Sequence, residues 1–150
     1  MKKLYCLLLA SVLIWALPAN IYAGTQSGSR IISEETIDLG DGYTVTYTIS
    51  ADSASTRATT GFRSKTATYR DNGNIIATVT LHANFSYDGT SATATNAYVT
   101  HTTYDSWNYT TEDLSRNGAT ASVKGKLSKT LHGSVAVNFS LTCSPSGTIS

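Results

Sequence analysis

The groups able to do chemistry are few, and their spacing is unpromising. The three histidines are His82, His101 and His132. No pair has the i, i+2 spacing with a neighbouring carboxylate that gathers ligands around a metal. His82 falls on the polar side of its run, His101 among threonines, and His132 in a turn. Hydroxyls abound, but no G-x-S-x-G turn is present to expose one as a nucleophile. Cys143 is the only thiol after Cys6. Its expected register faces the core, where a thiol acts as a small hydrophobe with a raised pKa. Glu34, Glu35, Glu112 and Asp113 have the type needed for the acid and base of a glycosidase. None sits in a recognisable setting, and they read as solvated surface. Glycine-rich phosphate cradles are absent. The sequence thus offers no catalytic residue, no metal site and no cofactor site.

Aromatic residues are the best candidates for binding. Pairing across a two-residue turn at Asn117-Gly118 sets Leu114 opposite Ala121 and Thr110 opposite Gly125. Trp107 and Tyr109 then point away from that face, with Tyr104 nearby. Tyr104, Trp107 and Tyr109 are therefore the candidate ligand-facing ridge, since such rings stack on sugars or anchor protein partners. The competing placement puts Trp107 in the core or under a loop. Thr44, Thr46 and Thr48 line one side of a strand, as do Thr93 and Thr95. Regular threonine ladders order water or ice, but these are short and read as ordinary solvent-facing positions.

Composition bounds the classes. The chain has 150 residues, 14% charged and 41% hydrophobic, with a net charge of +1 and 24 threonines. Typical domains carry about 25% charged residues. Clustered Lys and Arg, the footprint of a nucleic-acid binder, are missing. The apolar fraction and only 2 Pro exclude a disordered tail. The length suits one domain.

Residues 1–23 read as a secretory signal peptide. Lys2 and Lys3 form a positive start, Leu4 to Leu17 an uncharged run of 14 residues, and Ala23 a small cleavage residue. That run falls short of the roughly 20 residues that span a bilayer, so cleavage is favoured over an uncleaved anchor. Cys6 precedes the run and cannot be an acylated first residue. Cleavage leaves 127 residues, a net charge of −1 and Cys143 alone, so no intramolecular disulfide can form. No second apolar run follows, which argues against stable membrane insertion after cleavage. The expected location is extracellular, released or held non-covalently at the envelope.

The elements that must position any site are strands. Period-2 alternation runs from Ile31 to Cys143, rich in Thr, Val, Ile and Tyr. Turn signals punctuate it at Gly40-Asp41-Gly42, Asn72-Gly73, Asp88-Gly89, Asn117-Gly118 and His132-Gly133. A three-residue loop at His132-Gly133-Ser134 pairs Leu131 with Val135, Leu127 with Phe139 and Val123 with Cys143. The same loop length at Gly40-Asp41-Gly42 pairs Leu39 with Tyr43 and Ile37 with Val45. At Asp88-Gly89 a two-residue loop pairs Phe85 with Ala92, with a bulge near Asn96 to reset the faces. Ile75 to Tyr87 is long, so a bend near His82 to Asn84 would let it serve both sheets. Arg63 to Arg70 is charged and reads as an edge strand. Ala51 to Gly61 reads as a loop crossing between sheets. Asn-x-Ser/Thr triplets at Asn84, Asn108 and Asn138 arise readily in so hydroxyl-rich a chain.

The signal, Ser64 to Tyr69 leading to Asn72-Gly73, Thr78-Val79-Thr80, Phe85-Ser86-Tyr87-Asp88-Gly89 and the ending Leu141-Thr142-Cys143-Ser144 with Gly147 carry a resemblance. The layout resembles the small secreted Thr/Ser-rich β-sandwich proteins of Gram-positive (Firmicutes-type) bacteria, over about residues 60–150. That group has no assigned activity, so the resemblance implies a fold and export and carries over no functional residue.

The expectation is all-β: an antiparallel Ig-like β-sandwich of seven to eight strands at 31–143. A signal peptide helix precedes it, with a tail at 24–30 and another at 144–150. The leading function is an exported, non-enzymatic binding or envelope-interaction module. Its partner is a protein or glycan at the cell surface. The alternatives are a small secreted hydrolase acting on glycans and a secreted antagonist or its immunity partner.

Overall fold

The computed structural model describes residues 29–51 and 59–150. The expected signal at 1–23, and all but the last two residues of the tail at 24–30, lie outside the described residues. Eight antiparallel strands form two sheets. The first holds β1 (Arg30–Gly40), β2 (Tyr43–Ala51), β3 (Thr60–Asp71), β4 (Asn74–Tyr87) and β5 (Ala92–Thr103). The second holds β6 (Asn108–Asn117), β7 (Thr120–Lys129) and β8 (Gly133–Thr142). No helix occurs among the described residues.

Each strand lies beside its sequence neighbour, and only the β5–β6 connection passes between sheets. An Ig-like order would need Greek-key connections between the sheets; the observed order is a meander. β2 and β3, which flank the segment expected to cross between sheets at Ala51 to Gly61, are neighbours in one sheet; residues 52–58 of that segment lie outside the described residues. β3 is likewise the middle strand of its sheet, not an edge. Its charges are accommodated there singly: the Arg63 guanidinium donates to the Phe62 carbonyl, the Lys65 ammonium lies over the Tyr47 ring, and Arg70 donates to Thr46 Oγ1. β4 stays in one sheet throughout its 14 residues, although a bulge does fall at Asn84/Phe85.

Both sheets contribute to one apolar core. Val45, Tyr69, Val79, Leu81 and Phe85 come from the first, and Val123, Leu127, Val137 and Leu141 from the second. Each such side chain stabilises the fold by about 1.5–3 kcal/mol on burial. Alanines 67, 77 and 83 keep the inner face shallow between the larger groups. At one side the sheets are tied by Ala94 N–H to the Gly118 carbonyl at 2.8 Å, and by Arg116 to the Thr95 carbonyl.

Three turns depart from the expected register. β1 and β2 pair Ile37 with Val45 as expected, but Gly40 rather than Leu39 faces Tyr43. Asp41 and Gly42, at φ 54° and 83°, make the tight turn, and Leu39 is the extra residue of a bulge. The β4–β5 loop spans four residues. The Asp88 carboxylate accepts from the N–H groups of Thr90 and Ser91 and from their hydroxyls. Those bonds hold its pKa far below the usual carboxylate range. Phe85 therefore pairs with Ala94, and a bulge at Thr95 restores the faces so that Leu81 meets Val99.

β7 and β8 pair Leu127 with Val135 and Val123 with Phe139, four residues from expectation. An even shift leaves every residue on its face, so alternation alone cannot detect it. Leu131 does not pair at all. It sits in the turn at φ 66°, fully exposed. The segment after β8 is no loose tail: Thr142 and Ser150 exchange both backbone hydrogen bonds, at 2.9 and 3.0 Å, and Cys143 bridges to Ile149.

Candidate binding face

The expected aromatic ridge does not form. Tyr104, Asp105, Ser106 and Trp107 make the turn between the sheets, with Asp105 and Ser106 at φ 51° and 62° and Trp107 N–H on the Tyr104 carbonyl at 2.9 Å. That turn leaves Tyr104 47% exposed and sends Trp107 into the core at 3%. Tyr109 is half-buried. Asn117 pairs with Thr120, moving the turn to Gly118-Ala119, and Glu112 is the extra residue of a bulge. The bulge reverses the faces, so Tyr109 lies opposite buried Leu127. Cys143 is buried, and burial raises its thiol pKa against the lowering effect of Arg63.

A different face is prominent. On the side of the first sheet turned away from the core, Thr36, Thr46, Thr68, Thr78 and Thr102 pair in one continuous row across five strands. The next row is Glu34, Thr48, Thr66, Thr80 and Thr100. Two more residues along, Ser50, Ser64, His82 and Tyr98 continue the pattern. Spacing is about 4.8 Å between strands and about 6.8 Å along them. The grid arises from four Thr-x-Thr triplets, at Thr46–Thr48, Thr66–Thr68, Thr78–Thr80 and Thr100–Thr102. Each has an inward or half-buried residue between its hydroxyls. β-branched Thr suits a pleated surface, and the intervening Ala67 and Val79 fix which side faces out by being buried.

Some hydroxyls are engaged. Thr36 and Thr46 Oγ1 lie 2.9 Å apart, Thr66 and Thr80 Oγ1 3.0 Å, and Thr100 Oγ1 is 2.9 Å from His82 Nε2. Those of Thr48, Thr68, Thr78 and Thr102 have no protein partner among the described residues. Phe62, His82 and Tyr98 stack along one border, with centroid separations of 5.6 and 4.5 Å. Burial lowers the His82 pKa, so the stack holds a neutral ring at pH 7. The rings stand on one another rather than lying flat, and only Tyr98 is well exposed.

The ladder in β2 is legible in the sequence, and the rows across strands are not. The Thr-x-Thr repetition was the available signal; only strand register turns it into a grid. Among the described residues, no cluster of His, Cys, Asp and Glu has the makings of a metal site. The chain matches no family model, no curated protein and no solved structure.

Proposed function

We propose that this chain is an exported binding module built as a two-sheet β-sandwich of meander order, and that it takes a glycan on the threonine grid. The single observation that carries this reading is the registration of the four Thr-x-Thr triplets on one uncovered face. Hydroxyls both donate and accept, which suits a polyhydroxylated chain laid across the rows. The charges on the face, Glu34, Asp38 and Arg70, sit at its margins, and the threonine rows between them suit a neutral polymer. Export rests on residues 1–23 and on the resemblance to secreted Gram-positive proteins. The proposed role is binding rather than catalysis.

The test is a glycan array with pull-down on insoluble polysaccharides, comparing wild type with Thr48→Val/Thr68→Val/Thr78→Val. Valine keeps the shape and strand preference while deleting the hydroxyl. At about 1 kcal/mol per hydrogen bond, the triple variant should bind roughly a hundredfold more weakly. Binding equal to wild type, or no glycan retained by wild type, would overturn the reading.

A further inference from the structure

The alternating strand directions of the meander gather four turns at one end of the molecule: β1 to β2, β3 to β4, β5 to β6 and β7 to β8. Across that end Tyr43 meets Trp107, and Leu39, Tyr43, Ser134 and Val135 line a common groove. Each of the four turns has a large apolar side chain exposed in it or within two residues of it. They are Leu39, Ile75, Tyr104 and Leu131. The described turns at the opposite end, Asp88 to Ser91 and Gly118-Ala119, hold none. Apolar exposure gathered on one surface and rimmed by polar groups marks a contact surface.

Leu131 stands apart among the four. The His132 N–H donates to the Lys129 carbonyl at 3.1 Å, closing a turn whose third residue is Leu131 at φ 66°. Glycine or asparagine usually fills that place. The other described residues with positive φ, glycine aside, are Asp41, Asn72, Asp105 and Ser106, short polar types suited to local hydrogen bonding. Leucine gains nothing of that kind, and its side chain is 99% exposed. The fold thus holds an apolar group out in water at a cost in backbone strain, and such strain gathers at functional positions. Beside it lies a groove of 310 Å³, with Leu39, Tyr43 and Val135 as its apolar wall and Asp41 as its charged member. The turns divide by charge as well. Asp41, Asp71 and Asp105 stand in or beside the first three, where Arg70 is drawn to Thr46 on the threonine face. Lys129, with His132, belongs to the fourth.

We propose that this end is a contact between two copies of the chain, in which Leu131 of each copy enters the groove of Leu39, Tyr43 and Val135 on the other. Lys129 then meets Asp41 across the contact. Donor and acceptor lie side by side, with Leu131 three residues before Ser134 of the groove. A two-fold axis between them lets both exchanges form at once, as an isologous dimer requires. The second copy supplies both features that the groove selects: an apolar tip held out on a hairpin, and a cation two residues from it. This surface is separate from the threonine grid and does not rest on the glycan reading.

Sedimentation equilibrium of the purified protein should show a reversible monomer–dimer equilibrium below millimolar concentration. Leu131→Gly removes the tip and relieves the turn, so the variant keeps its fold. It should raise the dimer dissociation constant about a hundredfold, as two leucines leave the contact together. Asp41→Asn puts a residue that tolerates the left-handed turn in place of the carboxylate, and Lys129→Ala removes the cation. Each should weaken the dimer severalfold, and the two together should do no more than either alone, since both delete the same pair. Amide shifts that change with protein concentration should fall at residues 39–43 and 131–136, and not at Asp88 to Ser91. A monomer at millimolar concentration, a dimer undisturbed by Leu131→Gly, additive effects of Asp41→Asn and Lys129→Ala, or shifts centred elsewhere would overturn the proposal.

Discussion

Tyr43 and Trp107 meet edge to face, with centroids 6.1 Å apart and planes at 85°. The contact joins the start of β2 to the turn between the sheets. Aromatic pairs in this geometry contribute about 0.5–1.5 kcal/mol beyond area burial. Trp107 is therefore a structural anchor, and the exposed residue of the original trio is Tyr104.

A chain beginning at Gly24 has Trp107 as its only tryptophan. Its emission should be blue-shifted and resist acrylamide, then shift red on unfolding. Trp107→Ala should destabilise by about 3–5 kcal/mol in urea titration. Native emission like that of free tryptophan would contradict the burial.

Alkali should weaken the fold. Burial raises the phenol pKa of Tyr69 and Tyr47 and the thiol pKa of Cys143. Groups with raised folded-state pKa values contribute stability that is fully present below the unfolded values, about 8.5 for Cys and about 10 for Tyr. It is lost as pH rises beyond them, because the unfolded chain releases protons that the native state retains. The urea midpoint should fall between pH 8 and pH 11, less steeply in Tyr69→Phe. Cys143 should react with iodoacetamide only at the rate of unfolding.

Gly125 has no room for a side chain. A Cβ there would lie 2.6 Å from the Thr110 carbonyl oxygen and 2.8 Å from the Tyr109 ring. Gly125→Ala should cost about 1–3 kcal/mol through overpacking, read as a lower melting temperature. Tyr109→Ala/Gly125→Ala should recover only part, because the backbone contact remains.

Leu131 is 99% exposed with φ 66°, a left-handed conformation that glycine adopts freely. Leu131→Gly should stabilise the hairpin by up to about 1 kcal/mol, since left-handed backbone costs a side-chain-bearing residue about 1–2 kcal/mol and glycine's extra chain entropy offsets part of that. A lowered melting temperature would show that Leu131 makes contacts that the turn requires.

Local chemistry made much of the architecture legible. Alternation shows strands from Ile31 to Cys143, and Asn72-Gly73 marks a turn that forms as read, with both residues at positive φ. The facing of Leu127, Val135, Val137 and Cys143 also follows from alternation, since side chains on a strand must take opposite sides in turn. Pair identity does not. Val123 meets Phe139 rather than Cys143 because a four-residue slip preserves every face and is decided by where the turn closes. Tyr109 turns inward because one extra residue, Glu112, reverses parity, and a bulge leaves little trace in composition. Arg63 to Arg70 has the charge of an edge, yet it pairs with β2 on one side and β4 on the other at the centre of the sheet. Local alternation is enough to set the strands, most of their faces and the low charge of their outer side chains. Strand order and register come from the packing of the whole chain. These depend on contacts between residues far apart in the chain, and they alone turned scattered Thr-x-Thr triplets into a grid and left β8 with an open edge.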